Sequence, residues 1–233
     1  MNTDPRNSAR IEQNPLDEIA TTAYGLGIVF GIALALLPRL SSSSITIYIM
    51  ALSGFHFLEY WSTARYNSSK VNKDSFLLYN GHTYILAHLS ALVEYFIEFY
   101  FFRSYKISNS FRLIQYFGFF LLLVGQIFRT TAMVTAGKSF SHIIETSHNP
   151  QHTLVTNGIY SISRHPSYTG FFWWAIGSQL FLLNPLCFFG FLYLLWTFFS
   201  QRIRYEESLL ISFFKADYLN YKAKTSTLIP FIK

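Results

Sequence analysis

Residues 170–199 read GFFWWAIGSQLFLLNPLCFFGFLYLLWTFF. No charged side chain interrupts the stretch, and its one break is Asn184-Pro185. Proline ends a helix and asparagine favours a turn, so the spacing predicts two apolar helices, Tyr168 to Ile203, joined in a tight hairpin. The first half is short for a crossing that takes about 20 residues, which suits a tilted or partly inserted hairpin. A soluble core would show shorter apolar runs with polar faces. A bilayer instead obliges each crossing segment to satisfy its own backbone, which helices do.

Upstream lie four more runs of spanning length: about Ile19–Leu37, Ser44–Ala64, His82–Phe102 and Phe111–Val134. The expected fold class is therefore all-α, a polytopic integral membrane bundle of about six transmembrane helices. The composition agrees. Of 233 residues 51% are hydrophobic and 13% charged, against about 25% charged in a soluble domain. The net charge of +6 collects beside the spans, which reads as topology and contact with anionic lipid, with no nucleic acid as partner. Arg6, Arg10, Arg65, Lys70, Lys73, Lys138, Arg164 and the basic tail outnumber Arg39, Arg103, Lys106 and Arg112 on the other side, which puts both termini in the cytosol. Cys187 is the only cysteine, so neither a disulfide framework nor a cysteine metal site is expected. Residues 1–18 are polar and form a cytosolic tail without the apolar core of a cleavable signal. Gly25, Gly27 and Gly31 permit close helix approach and a homodimer without requiring either.

Ionisable groups inside the spans mark either helix-binding contacts or a passage for substrate. His56, Glu59, Tyr60 and Thr63 share one helical face. His88, Glu94 and Glu98 lie near another, and Arg129 stands at the end of the fourth span. His142, His148 and His152 follow no regular metal-ligand spacing, and HExxH, GxGxxG and GxSxG are all absent. No metal site, soluble-type nucleotide fold or serine elbow is expected. Two clusters remain. In Ile159–Gly170, Pro166 forces His165 out of helical conformation and suits the first turn of the next helix. Arg164 and His165 can donate, while Tyr160 and Tyr168 can stack or hydrogen-bond. Downstream, Arg202 and Glu206 stand four residues apart on one helix face, a spacing that a plain ion pair at the membrane edge would also explain.

Arg164-His165-Pro166-Ser167-Tyr168, the hairpin and Glu206-Glu207 together resemble the isoprenylcysteine carboxyl methyltransferases, closest to their fungal a-factor type. Ala136–His142, His152–Val155, Phe171–Gly177, Tyr218–Tyr221 and Ile229–Ile232 also match. Arg-His-Pro-x-Tyr alone is less specific, because NADPH-dependent sterol reductases and phospholipid methyltransferases have related C-terminal halves; a reductase would need more chain.

The resemblance implies an endoplasmic reticulum membrane enzyme, multi-pass, with a cofactor pocket and active site facing the cytosol. It implies methyl esterification of the C-terminal prenylcysteine of CaaX-processed proteins, with S-adenosyl-L-methionine as donor. Its protein partners would be farnesylated or geranylgeranylated, including a farnesylated mating pheromone and Ras-type GTPases. Implied donor contacts are Glu145, His152, Thr153, Leu154, Val155, Tyr160, His165, Pro166, Ser167, Tyr168 and Glu206. Arg202 would bind the substrate carboxylate, and Arg202 and Glu206 would form the catalytic pair. The chain would then divide into a tail at 1–18, four transmembrane helices over 19–134 and a cofactor-binding catalytic region over 135–233.

Overall fold

The computed structural model describes residues 15–39, 43–147 and 153–233, and among these there is no strand. The helices are α1 (Leu16–Leu36), α2 (Ser44–Tyr66), α3 (His82–Phe101), the short α4 (Arg103–Ile107), α5 (Arg112–Ala136), α6 (Pro166–Leu182) and α7 (Pro185–Lys224). The first three long helices, α5 and α6 fall where the apolar runs predict, within a few residues at each end, whereas α4 was not expected and α7 runs well past Ile203. Among the described residues four stretches are long and apolar enough to cross a membrane: Leu16–Leu36, His82–Phe101, Asn109–Ser139 and Pro185–Lys224. The other two expected spans are also helices, although α6 has only 17 residues. Large apolar side chains point outward, among them Leu86, Phe96, Phe120 and Phe189, an arrangement that water penalises and lipid accommodates.

The chain forms two compact units, Met1–Ile85 and Leu86–Lys233. In the first, Ala33 is the only residue of α1 that is buried, so most of this apolar helix is left for lipid. A Cβ on Gly25, Gly27 or Gly31 would meet nothing within 4 Å. His56 of α2 contacts the Phe76 carbonyl through Nδ1 at 2.8 Å and the Tyr84 hydroxyl through Nε2 at 3.1 Å. A carbonyl only accepts, so Nδ1 carries the proton and Nε2 accepts from the phenol. His56 is thus a satisfied neutral histidine. It pins the loop after α2, where Tyr60 stacks on Phe76 at 4.2 Å.

In the second unit α5 and α6 meet backbone to backbone. A Cβ on Gly170 would lie 2.5 Å from the Arg129 nitrogen and 2.6 Å from the Gly125 carbonyl. One on Gly177 would lie 2.6 Å from the Leu122 nitrogen and 2.7 Å from the Gly118 carbonyl. Gly118 and Gly125 face back across the same seam. Each pair is spaced by seven residues, about two turns, so both fall on one face. Small residues at such contacts are what allows tight helix packing in lipid.

The hairpin turn is held by charge. The Lys106 ammonium donates to the Leu182 and Leu183 carbonyls and to Asn184 Oδ1, each at 2.9 Å. It also lies 2.6 Å from Glu98. The two oxygens of Glu94 accept the Leu186 and Cys187 amides at 2.7 Å. A cation therefore sits at the C-terminal end of α6 and an anion at the N-terminal end of α7. Each meets the orphan backbone groups and dipole of its helix terminus. Glu94 and Glu98 serve the fold here, as helix-binding groups.

Beyond Ile203 the sequence suggests a charged amphipathic tail, whereas α7 continues to Lys224. Neither proline nor glycine falls between Ile203 and Lys224, and Arg, Glu, Leu, Lys and Ala sustain a helix. Its 40 residues would be about 60 Å long if straight, twice the hydrocarbon thickness. Lys215 interrupts it at φ 49, ψ −122, a backbone region that disfavours any side chain.

We expect Gly177→Ala to lower the melting temperature in detergent, because overpacking against backbone costs about 1–3 kcal/mol. Gly190→Ala, where a Cβ would meet nothing within 4 Å, should melt at or above wild type. Equal melting of the two variants would contradict the seam.

Candidate active site

The Arg-His-Pro-Ser-Tyr motif opens α6. Pro166 occupies its first turn and His165 precedes it at φ −128, ψ 60, outside the helical region, as the proline requires. Ser167 is fixed from α5, where Arg129 Nη1 donates to its hydroxyl at 2.6 Å. The glycine seam ends at this bond, so the close approach of α5 and α6 sets the height of the motif.

The motif lines a cavity of about 750 Å³ including its open mouth, within the range of ligand sites. Ala136, Ser139, Phe140 and Ser141 line it after α5, and Thr153, Leu154, Val155 and Tyr160 from the following loop. His165, Pro166, Ser167 and Tyr168 complete the wall begun by Arg164, while Glu206, Leu210, Phe214, Tyr218 and Tyr221 come from α7. Burial and then the negative charge of Glu206 push the Tyr160 phenol above the usual tyrosine range, so it stays protonated at neutral pH. The Tyr160 carbonyl accepts from Tyr221 at 2.6 Å.

Nine of the expected donor contacts share this cavity: Thr153, Leu154, Val155, Tyr160, His165, Pro166, Ser167, Tyr168 and Glu206. Glu145 is not among its lining residues. His152, like His148, lies outside the described residues. Arg202 is brought to the motif as well: its Nε donates to the Tyr168 hydroxyl at 2.9 Å and its Nη2 to the His142 carbonyl at 2.7 Å.

Behind the wall is a second carboxylate. Glu207 is 3% exposed. One oxygen accepts from Arg164 Nε at 2.5 Å and meets His165 Nε2 at 3.1 Å, and the other accepts from Lys222 at 2.5 Å. The residues after α7 are fastened to the same motif. The Thr225 carbonyl accepts from Arg164 Nη1 at 2.7 Å, and the Ser226 carbonyl from the Arg164 amide at 3.0 Å. The Thr227 carbonyl accepts from Ser163 and Thr169 at 3.0 and 2.5 Å.

Sequence reasoning gave no role to Glu207, Tyr218 or Tyr221, which it only matched to the family, and missed Lys222, Leu210 and Phe214. The wall had a signal: 206, 210, 214, 218 and 221 recur every three or four residues, the period of a helix face. The fastening of residues 225–227 had none, because it uses backbone carbonyls that any residue supplies.

The matched family model, described as the isoprenylcysteine carboxyl methyltransferase (ICMT) family, covers residues 117–212. These comprise most of α5, the motif, the hairpin and Glu206-Glu207, so the class is that of a membrane-embedded, multi-pass methyltransferase. Protein-S-isoprenylcysteine O-methyltransferase of Saccharomyces cerevisiae is 51% identical, over 95% of this chain and 94% of its own. The Homo sapiens protein of that name is 40% identical over 94% and 76%. A solved eukaryotic intramembrane Ras methyltransferase ICMT superposes with a TM-score of 0.88, at 36% identity, covering 92% and 77% of the two chains. The chain belongs to the isoprenylcysteine carboxyl methyltransferase family.

Glu207→Ala should cost about 3–5 kcal/mol, because it strands the buried Arg164 guanidinium that the carboxylate now pairs. Thermal unfolding in detergent reads this directly, and a melting temperature at the wild-type value would exclude the pairing.

Proposed function

We propose that the protein methylates the C-terminal carboxylate of prenylcysteine, with S-adenosyl-L-methionine as donor. The observation that carries this reading is one cavity lined by the Arg-His-Pro-Ser-Tyr motif, with a carboxylate, Glu206, in its wall and a guanidinium, Arg202, bonded to that wall. The two substrates carry matching groups: an ammonium on the donor and a carboxylate on the acceptor.

The residues suit the donor. Thr153, Leu154, Val155, Tyr160 and Tyr168 offer apolar and aromatic surface for its base and ribose, and Glu206 offers an anion for its amino group. Arg164 Nη2 is buried with no hydrogen-bond partner among the described residues, a donor that a bound ligand or water would satisfy. His165, Pro166 and Ser167 complete the wall, and the family resemblance adds His152 and Glu145 to the donor contacts. The donor supplies a methyl group on a sulfonium, which is electrophilic without further activation.

The acceptor carboxylate has an intrinsic pKa of about 3.5 and is ionised at pH 7, so no general base is needed. Arg202 orients it by a two-pronged contact, and Arg202 and Glu206 hold the two reactants in line. Transfer neutralises opposite charges, and a site screened from water by Tyr160, Phe214, Tyr218 and Tyr221 favours that loss of charge.

The prenyl chain enters from lipid between the helices. In this reading the chain crosses the endoplasmic reticulum membrane six times, with its N-terminus and the mouth of the cavity on the cytosolic side, where prenylated CaaX proteins are presented.

The test is transfer of tritiated methyl from S-adenosyl-L-methionine to N-acetyl-S-farnesylcysteine in membranes containing the protein. Arg202→Ala should abolish transfer while donor binding stays measurable, and normal turnover by this variant would refute the assignment. Acceptors with shortened prenyl chains should lose kcat/KM steeply, since each buried methylene contributes about 0.8 kcal/mol. Equal rates for farnesylated and plain acetylcysteine would exclude entry from lipid.

A further inference from the structure

Arg202 and Glu206 stand four residues apart on α7, the spacing at which a guanidinium and a carboxylate pair directly along a helix. Among the described residues no ion pair joins them. The Tyr168 hydroxyl stands between. Arg202 Nε donates to the phenol oxygen at 2.9 Å, and the phenol donates its proton to Glu206 Oε2 at 2.6 Å. A phenol can do this because it donates and accepts at once. The ring is fixed on both sides, parallel to His165 at 5.5 Å between centroids and stacked on Phe199 at 5.2 Å. Arg202 Cζ lies 5.3 Å from the same ring, and Arg202 Nη2 is taken by the His142 carbonyl at 2.7 Å. The Nε–Nη2 edge of the guanidinium is thus occupied by protein, leaving the Nη1 side for a ligand.

We infer that the Tyr168 hydroxyl is a positioning group that keeps the Arg202–Glu206 pair open, so that each charge serves a different substrate. The inference rests on the methyl-transfer reading above. A direct pair would be charge-assisted and two-pronged, and would spend both charges on each other. An incoming carboxylate would then compete with Glu206 for the guanidinium, and an incoming ammonium with Arg202 for the carboxylate. The interposed phenol orders both side chains while presenting their charges separately, so the cost of orienting them is met before the substrates arrive. A donor contact through Tyr168 alone would affect only the donor.

The experiment measures both KM values and kcat for Tyr168→Phe in membranes, with tritiated S-adenosyl-L-methionine and N-acetyl-S-farnesylcysteine. Phenylalanine keeps the stacked ring and removes the hydroxyl. Both KM values should rise about tenfold, the scale of one charge-assisted hydrogen bond, with a smaller change in kcat. Adding Glu206→Gln removes the carboxylate that captures Arg202. The double variant should therefore regain a farnesylcysteine KM near wild type while its donor KM stays high. Loss of packing alone would not restore one KM in this way. KM does not depend on how much protein accumulates, so a poorly expressed variant still reports. A rise in the donor KM alone, or no change in either, overturns the inference and leaves the methyl-transfer reading standing. A wild-type chain that transfers no methyl overturns both.

Discussion

Two helices in backbone contact fix everything else in the larger unit. Gly118, Gly125, Gly170 and Gly177 remove the side chains that would otherwise separate α5 from α6, and the contact is so close that a single methyl on any of them meets backbone. Apolar burial cannot drive such packing in lipid, because hydrocarbon tails are as apolar as leucine; van der Waals fit and hydrogen bonds must do it. The seam supplies the fit. Its last contact, Gly170 against Arg129, is followed by the Arg129–Ser167 hydrogen bond. Helix packing and the first turn of the motif are therefore one arrangement.

Charge is then placed where the apolar surroundings make it count. At the hairpin turn, Lys106, Glu98, Glu94 and Asn184 answer the backbone groups that two helix ends leave open. Leaving those groups bare in an apolar medium would cost several kcal/mol each. At the other end of α6, Glu207 gathers Arg164, His165 and Lys222. Both clusters hold the same two-helix unit. The cavity differs: it keeps Glu206 in its wall, Arg202 beside it and one Arg164 nitrogen that has no partner among the described residues.

That difference separates what could be read from the sequence. The helices were legible because lipid demands long uninterrupted apolar runs, and Asn184-Pro185 marks a turn by chemistry that acts locally. The start of α6 was legible for the same reason, since Pro166 dictates the conformation of His165. Most of the cavity wall followed from the motif and the family resemblance. The roles of Lys106 and Glu207 were not legible. Each acts across a large sequence separation, on carbonyls of Leu182 and Leu183 or on cations from two distant segments, and no local pattern encodes such partners. The break at Lys215 was equally silent, because a lysine in left-handed backbone is imposed by its surroundings. It falls between Phe214 and Tyr218, two residues of the cavity wall.

The i,i+4 spacing of Arg202 and Glu206 shows why spacing alone undersold the site. On an isolated helix the two would pair, and a bland ion pair at the membrane edge was the simpler expectation. In the folded unit α6 brings Tyr168 between them, and it can do so only because the glycine seam and Pro166 set the first turn of α6 at that height. A pair of charges that would satisfy each other becomes two separate poles, held 2.9 and 2.6 Å from one shared oxygen. Two ligands of opposite charge can then be oriented side by side. For the methylation of a carboxylate, which is ionised at neutral pH and needs no general base, orientation is much of what a protein can contribute.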